Sequence, residues 1–242
     1  MSKGSQRLYL LITSLLIALL HVPVNFARSA VGIRTARPAI KIAIPEKSVY
    51  DSLQLQLKGM SRQAFDYAKK GMDALLQEGK LLNDSILSII DFSLPSSEKR
   101  LFVINLNQYR ILFNTLVAHG RNSGRERAEY FSNEEESFKS SPGFYITGTT
   151  YDGKNGYSLK LIGMESGVND HAYGRGIVVH GADYVSQDYV NAQGFIGRSQ
   201  GCPAVPVHIC RSLINTIRNY SCMFIYYPGY ERKSPLLKRA QF

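Results

Sequence analysis

The chain has 242 residues, 44% of them apolar, and its 29 basic and 19 acidic side chains give a formal net charge of +10. That length and apolar content suit a folded protein of one large domain or two small ones rather than a disordered chain. Three cysteines are too few for a disulfide-built scaffold, and no basic run is interleaved with aromatics in the manner of an RNA-binding motif.

The amino terminus reads MSKGSQRLYLLITSLLIALLHVPVNFARSAVG: Lys3 and Arg7, an apolar run from Leu8 to Leu20, then small residues from Ala27 to Ala30. This order is that of a secretory signal over residues 1–30, with an uncleaved membrane anchor as the alternative. The run is shorter than the roughly 20 residues of a spanning helix. Export argues against a nucleic acid partner and leaves anionic lipid or an acidic wall polymer for the basic surface. Residues 31–47, with two prolines and scattered basic side chains, read as a linker.

From Ser48 the pattern turns helical. Helices are predicted at about 48–58 and 62–78, the second with Ser61 as N-cap, Phe65, Ala68, Met72 and Leu75 at three- and four-residue steps, and Gly79 as stop. Strand chemistry follows at 86–92, then at 101–106 and 109–118 as a hairpin around Asn107 and Gln108. Further short strands are predicted at 143–149, 157–161, 177–180 and 223–227, with turn residues between them. The stretch SNEEESFKSSPG (132–143) reads as a solvated loop. Pro206 opens a helix to about Arg218 with Val207, Leu213, Ile214 and Ile217 on its apolar face, and 230–242 reads as a basic tail. The fold class is mainly β with α, with helices at its amino-terminal end and a helix after Cys202.

The stretch GRSQGCPAV (197–205) sets Cys202 between Gly201 and Pro203, with Arg198 as its one charge. A cysteine there has three readings: a packing residue, half of a disulfide, or a nucleophile. In an oxidising compartment an odd count leaves at least one thiol unpaired or intermolecular. Cys210 and Cys222 read as packing residues, with a disulfide between them as the alternative. A thiol attacks as its thiolate and needs a base or imidazolium close by. Gly201 lets the backbone approach a substrate carbonyl, and the turn into the helix at Pro206 is expected to aim N–H groups at an oxyanion and to favour a thiolate. His180, at the strand end in GIVVHGADYV and freed by Gly181, is the candidate base.

HGADYV followed by GRSQGCPAV resembles the signature of the L,D-transpeptidase catalytic-domain family, a histidine-glycine pair ahead of a serine-x-glycine-cysteine motif. With the Cys-Pro-Ala-Val ending and the upstream LFVINLNQYRILFNTLVAHGRNSG, it is similar to the murein L,D-transpeptidase subgroup of bacterial envelopes over about residues 60–227. The resemblance implies a β barrel or sandwich of the L,D-transpeptidase type, a catalytic domain at 48–229, and a periplasmic or envelope location. It implies Cys202 as nucleophile, His180 as base, Gly201 and Cys202 as backbone oxyanion donors, and Ser199 as the motif serine that shapes the loop or hydrogen-bonds within the site. The implied reaction is acyl transfer on a peptidoglycan stem peptide through a Cys202 thioester, with release of terminal D-alanine and no cofactor. The acceptor is an amine on another wall strand or a protein. Two departures stand out: Gln200 where many relatives have histidine, and Ala204 where many have arginine. Arg198 is a nearby cation for a substrate carboxylate.

Tyr173, Tyr184, Arg175 and Gln200 are candidate walls of the cleft. His119, in VAHGRNSG, is a candidate lining residue, with an exposed turn histidine as the plainer reading; His171 and His208 read as surface residues. No Cys-x-x-Cys or His-x-x-x-His pair points to a metal. Two rival functions use the same residues differently: an L,D-carboxypeptidase that hydrolyses the thioester, and an inactive peptidoglycan-binding envelope protein.

Overall fold

The computed structural model describes residues 48–240; the expected signal segment (1–30) and linker (31–47) lie outside them. No helix among the described residues is long and apolar enough to cross a membrane. Eight strands, β1 (Ile86–Asp91), β2 (Leu101–Asn105), β3 (Arg110–Thr115), β4 (Gly143–Gly153), β5 (Gly156–Gly163), β6 (Val178–Gly181), β7 (Ala204–Val205) and β8 (Cys222–Tyr226), form one mixed sheet in the order β3-β2-β1-β8-β4-β5-β6-β7. The helices are α1 (Val49–Ser52), α2 (Arg62–Gln77), α3 (Gln187–Gln193), α4 (Val207–Ile217) and α5 (Pro235–Arg239).

Beyond β3 the chain crosses to the far edge of the sheet. There Ala118 N–H donates to the Ala204 carbonyl (2.8 Å) and Ser199 N–H to that of His119 (2.9 Å). The first and last strands thereby meet, and the sheet is nearly a barrel. Strands β1 and β8 are buried along their whole length, which is why they read as almost unbroken apolar runs. Their residues still divide by twos. Leu87, Ile89, Phe224 and Tyr226 share a core with α2, while Ile86, Ile90, Met223 and Ile225 share another with α4.

Helix α2 starts where the Ser61 hydroxyl accepts from Ala64 N–H (3.3 Å) and Ser61 N–H donates to Asp91 at the end of β1 (2.9 Å). A Cβ on Gly71 would lie 2.0 Å from Cζ of Phe144, whose ring stacks on Phe224 at 4.3 Å. Alanine there gains about 1 kcal/mol of helix propensity and overpacks a ring with no room to move, at about 1–3 kcal/mol. Gly71→Ala is therefore expected to lower the Tm; a rise on thermal melting would refute the packing argument.

Several expectations are corrected. The first helix is broken: Gln54 takes a left-handed φ of 51° and a 3-10 turn (Leu55–Lys58) follows. Tyr50 and Leu55, both buried, would stand about 140° apart on a straight helix, so one helix could not turn both inward. The hairpin turn is longer than Asn107-Gln108, with Asn105 Oδ1 accepting from Gln108 N–H (2.9 Å) and Tyr109 at φ 49°. Helix α3 and the two-residue β7 are additions.

The carboxyl-terminal segment, expected as a basic tail, packs into the core shared with α2. Tyr230, Leu236 and Leu237 are buried, and the buried Glu165 carboxylate accepts from Tyr230 Oη, Ser234 Oγ and the N–H groups of Phe144 and Leu236. Residues 241–242 lie outside the described residues. The three cysteines are free, and Cys210 and Cys222 sit in different cores, so the disulfide between them does not form.

Candidate active site

Strands β6 and β7 run parallel with His180 opposite Ala204. That register brings Cys202 alongside Val178, whose N–H donates to Sγ (3.5 Å), while the thiol points to the Gly176 carbonyl (3.6 Å). Cys202 and His180 line one cleft of about 770 Å³, together with Tyr184, Arg198, Ser199, Gln200 and Arg175. The sheet thus joins two motifs that the sequence separates.

The polarity of His180 follows from a single contact. Its Nδ1 lies 3.0 Å from the Gly181 carbonyl, which can only accept, so Nδ1 carries the proton and Nε2 is left as an acceptor. Burial holds the imidazole below its ordinary pKa, with the Gly181 bond acting in the opposite direction. Burial pushes the Cys202 thiol up, against the Val178 N–H and the Arg175 charge, which pull it down. Both shifts favour the uncharged forms, a thiol that can give up a proton and an imidazole that can take one, on the lining of one cleft.

Ser199 spans the turn that carries the thiol. Its hydroxyl accepts from Gly201 N–H (3.0 Å) and donates to the Cys202 carbonyl (2.6 Å). This corrects one expectation, because the Gly201 N–H is occupied and cannot serve an oxyanion. Cys202 N–H has no protein acceptor among the described residues. Gly201 sits at φ +122°, and a Cβ there would lie 2.8 Å from the Lys139 carbonyl, so the turn needs glycine. The helix starts at Pro206 as expected, with the two residues of β7 between it and Cys202. Gly181 has a packing role besides holding His180, since a Cβ there would lie 3.2 Å from Cys210 Cβ on α4.

A family model for the L,D-transpeptidase catalytic domain matches residues 56–226. The chain belongs to the L,D-transpeptidase catalytic domain family. Solved structures similar to it include an L,D-transpeptidase from Mycobacterium smegmatis, at 11% identity and TM-score 0.38, over 59% of each chain. L,D-transpeptidase 3 from Mycobacterium tuberculosis is 12% identical, TM-score 0.37, over 59% of this chain and 61% of that one. The helical cell shape determining protein from Campylobacter jejuni is 14% identical, TM-score 0.39, over 64% and 55%. The chain thus spans less than two thirds of the length of these structures. Comparison with curated proteins gave no match.

In this L,D-transpeptidase domain the remaining candidates scatter. Tyr184 lines the cleft, its hydroxyl pushed up to about 12 by burial and by Cys202. Gln200 and Arg198 are exposed on the cleft, and the Arg198 guanidinium donates to the carbonyls of Arg121 and Gly124 (3.2 Å each). Tyr173 is outside the lining, with its hydroxyl 3.2 Å from Lys160 Nζ. Sequence reasoning missed Glu135, Glu136 and Phe138, which make a wall of the cleft from the supposedly solvated loop, and Lys154 and Asn155 at the β4–β5 tip. The available signal was Phe138, a lone aromatic inside a polar stretch.

His119 is corrected on both readings: it is fully buried, neither in the cleft nor on an exposed turn. Nδ1 accepts from the buried Arg100 guanidinium (2.7 Å) and Nε2–H donates to the Gly124 carbonyl (3.2 Å). Burial first, and the Arg100 charge second, push its pKa down to about 3. An unfolded chain binds a proton at this histidine near pH 6.5, whereas the folded one does so only near 3. The neutral form's contribution to stability is therefore complete above about pH 6.5 and declines as pH falls toward 3, by up to about 1.4 kcal/mol per pH unit. His119→Gln is expected to flatten the fall of Tm between pH 6.5 and 4; a slope equal to wild type would contradict the assignment.

Proposed function

We propose that the chain is an exported peptidoglycan L,D-transpeptidase of the bacterial envelope. The observation that carries this reading is that Cys202 and His180, whose Nε2 is left as an acceptor, line one cleft. Nε2 takes the thiol proton as Sγ attacks the carbonyl of a stem-peptide diaminopimelate residue. The oxyanion meets the Cys202 N–H, and His180 returns the proton to the departing D-alanine nitrogen as the C–N bond breaks. A neutral amine from a second stem then gives a proton to His180 and attacks the thioester, forming the amide and expelling the thiolate, which recovers the proton. The signal-like order of residues 1–30 supports export, and a cleft of about 770 Å³ has room for donor and acceptor peptides.

The test is intact-mass spectrometry of the protein with a disaccharide-tetrapeptide donor, followed by analysis of the released muropeptides. A thioester adduct and cross-linked dimers are expected. Tripeptide alone would replace transfer by hydrolysis, giving an L,D-carboxypeptidase. Binding to peptidoglycan with neither adduct nor turnover would sink the enzymatic reading and leave an inactive binding module.

A further inference from the structure

The guanidinium of Arg175 makes no ion pair among the described residues, and Glu134 and Glu135 act on it only from longer range. It is half-buried and lines the cleft with Cys202. Its hydrogen bonds all go to neutral oxygens of the 132–141 loop: Nη1 to the Ser132 carbonyl (2.9 Å) and Ser141 Oγ, Nη2 to Ser137 Oγ (3.1 Å) and the Lys139 carbonyl (2.9 Å). Nη2 also lies 3.5 Å from where a Cβ on Gly201 would stand, directly beside the thiol's own residue. A partly desolvated cation whose direct contacts are all neutral dipoles gains from a negative charge that appears next to it. In this cleft the thiol acquires one when it gives up its proton, before the charge passes to the oxyanion.

We propose that Arg175 is a positioning residue with two tasks: its fork fastens the 132–141 loop as a wall of the cleft, and its charge stabilises the Cys202 thiolate. The proposal rests on the reading of Cys202 as nucleophile. Other charged or titratable groups face the thiol's cleft: His180 from β6, Tyr184 from the turn after it, Arg198 from the cysteine's own loop, Glu135 and Glu136 from the 132–141 loop, and Lys154 from the hairpin tip. Arg198 is exposed and bound to carbonyls of the 121–124 turn, so it is less able to take this role. Glu135 and Glu136 on the cleft, and Glu134, whose charge acts on Arg175, have the opposite sign.

The experiment is the pH dependence of Cys202 alkylation by iodoacetamide, followed by peptide mass spectrometry to read this thiol separately from the others. It uses no peptidoglycan substrate, so failure of the transpeptidase reading would not be mistaken for failure of this one. Arg175→Gln is expected to move the profile to higher pH, with thiolate at pH 7 falling about tenfold. Arg175→Lys should keep the wild-type profile while losing the fork, and Arg211→Gln, a charge change on exposed α4 surface, should change nothing. An Arg175→Gln profile that overlays wild type would overturn the proposal. If that variant does not fold, the side-chain ¹⁵N resonances of Arg175 in wild type decide: they should shift as the thiol titrates and stay still in Cys202→Ala. Resonances that behave alike in both proteins would overturn it equally.

Discussion

The Cys202→Ala protein is expected to melt within a few degrees of wild type and to turn over no stem peptide, a loss of at least about a thousandfold. The side chain is half-buried and small, so the fold loses little beyond two weak contacts, from Val178 N–H to Sγ and from the thiol to the Gly176 carbonyl. The chemistry loses the atom that forms the thioester. His180→Ala should lower the rate of thioester formation by about 10²–10⁴ while leaving the thiol open to alkylation. It should also remove the acid limb of the rate profile. In wild type that limb belongs to a base that must be neutral, and burial keeps the imidazole below its ordinary pKa; the limb is therefore expected below pH 6.5. Full turnover by a folded Cys202→Ala protein, or an unaltered acid limb in His180→Ala, would refute the assignment.

The largest effect on stability is expected at Glu165. Its carboxylate collects two hydroxyls and two backbone N–H groups in a site that water does not enter, joining the start of β4 to the segment that ends in α5. Glu165→Ala leaves those donors buried and unmatched, at about 1–3 kcal/mol for each one that does not find a new partner. A total of about 3–5 kcal/mol corresponds to a Tm lower by on the order of 10 °C for a domain of this size. Hydrogen exchange should rise first over 230–239, since that segment depends on the carboxylate, while α4 in the other core is held by Leu213, Ile214 and Ile217. A Tm within about 2 °C of wild type, or exchange unchanged at Tyr230 and Leu236, would show that the carboxylate does not hold the segment.

Part of this was legible residue by residue. The three- and four-step spacing of Phe65, Ala68, Met72 and Leu75 marks α2, and the apolar runs mark β1, β2 and β8, because burial on a helix or a strand imposes its period locally. The break at Gln54 was not legible, since it depends on Tyr50 and Leu55 finding the same core. Nor was the role of 132–143: its polarity is that of a solvated loop, yet Arg175, over thirty residues away in sequence, draws it onto the cleft. His119 was misplaced for a similar reason, because its partner Arg100 lies on the far side of a strand pair.

By itself the sequence determined most of the helix–strand succession, though not α3, β7 or α5, the signal-like order of the first residues, and the two motifs that carry Cys202 and His180. Those depend on residue type and short-range spacing. Tertiary structure alone decided that β6 and β7 pair with His180 opposite Ala204, that Ser199 consumes the Gly201 N–H, and that Arg175 lines the cleft with Cys202 and makes no ion pair among the described residues. Each of these is a match between a donor or charge and a partner from another segment. Such matches are set by which surfaces the two cores bring together, and the local pattern of residues does not encode them.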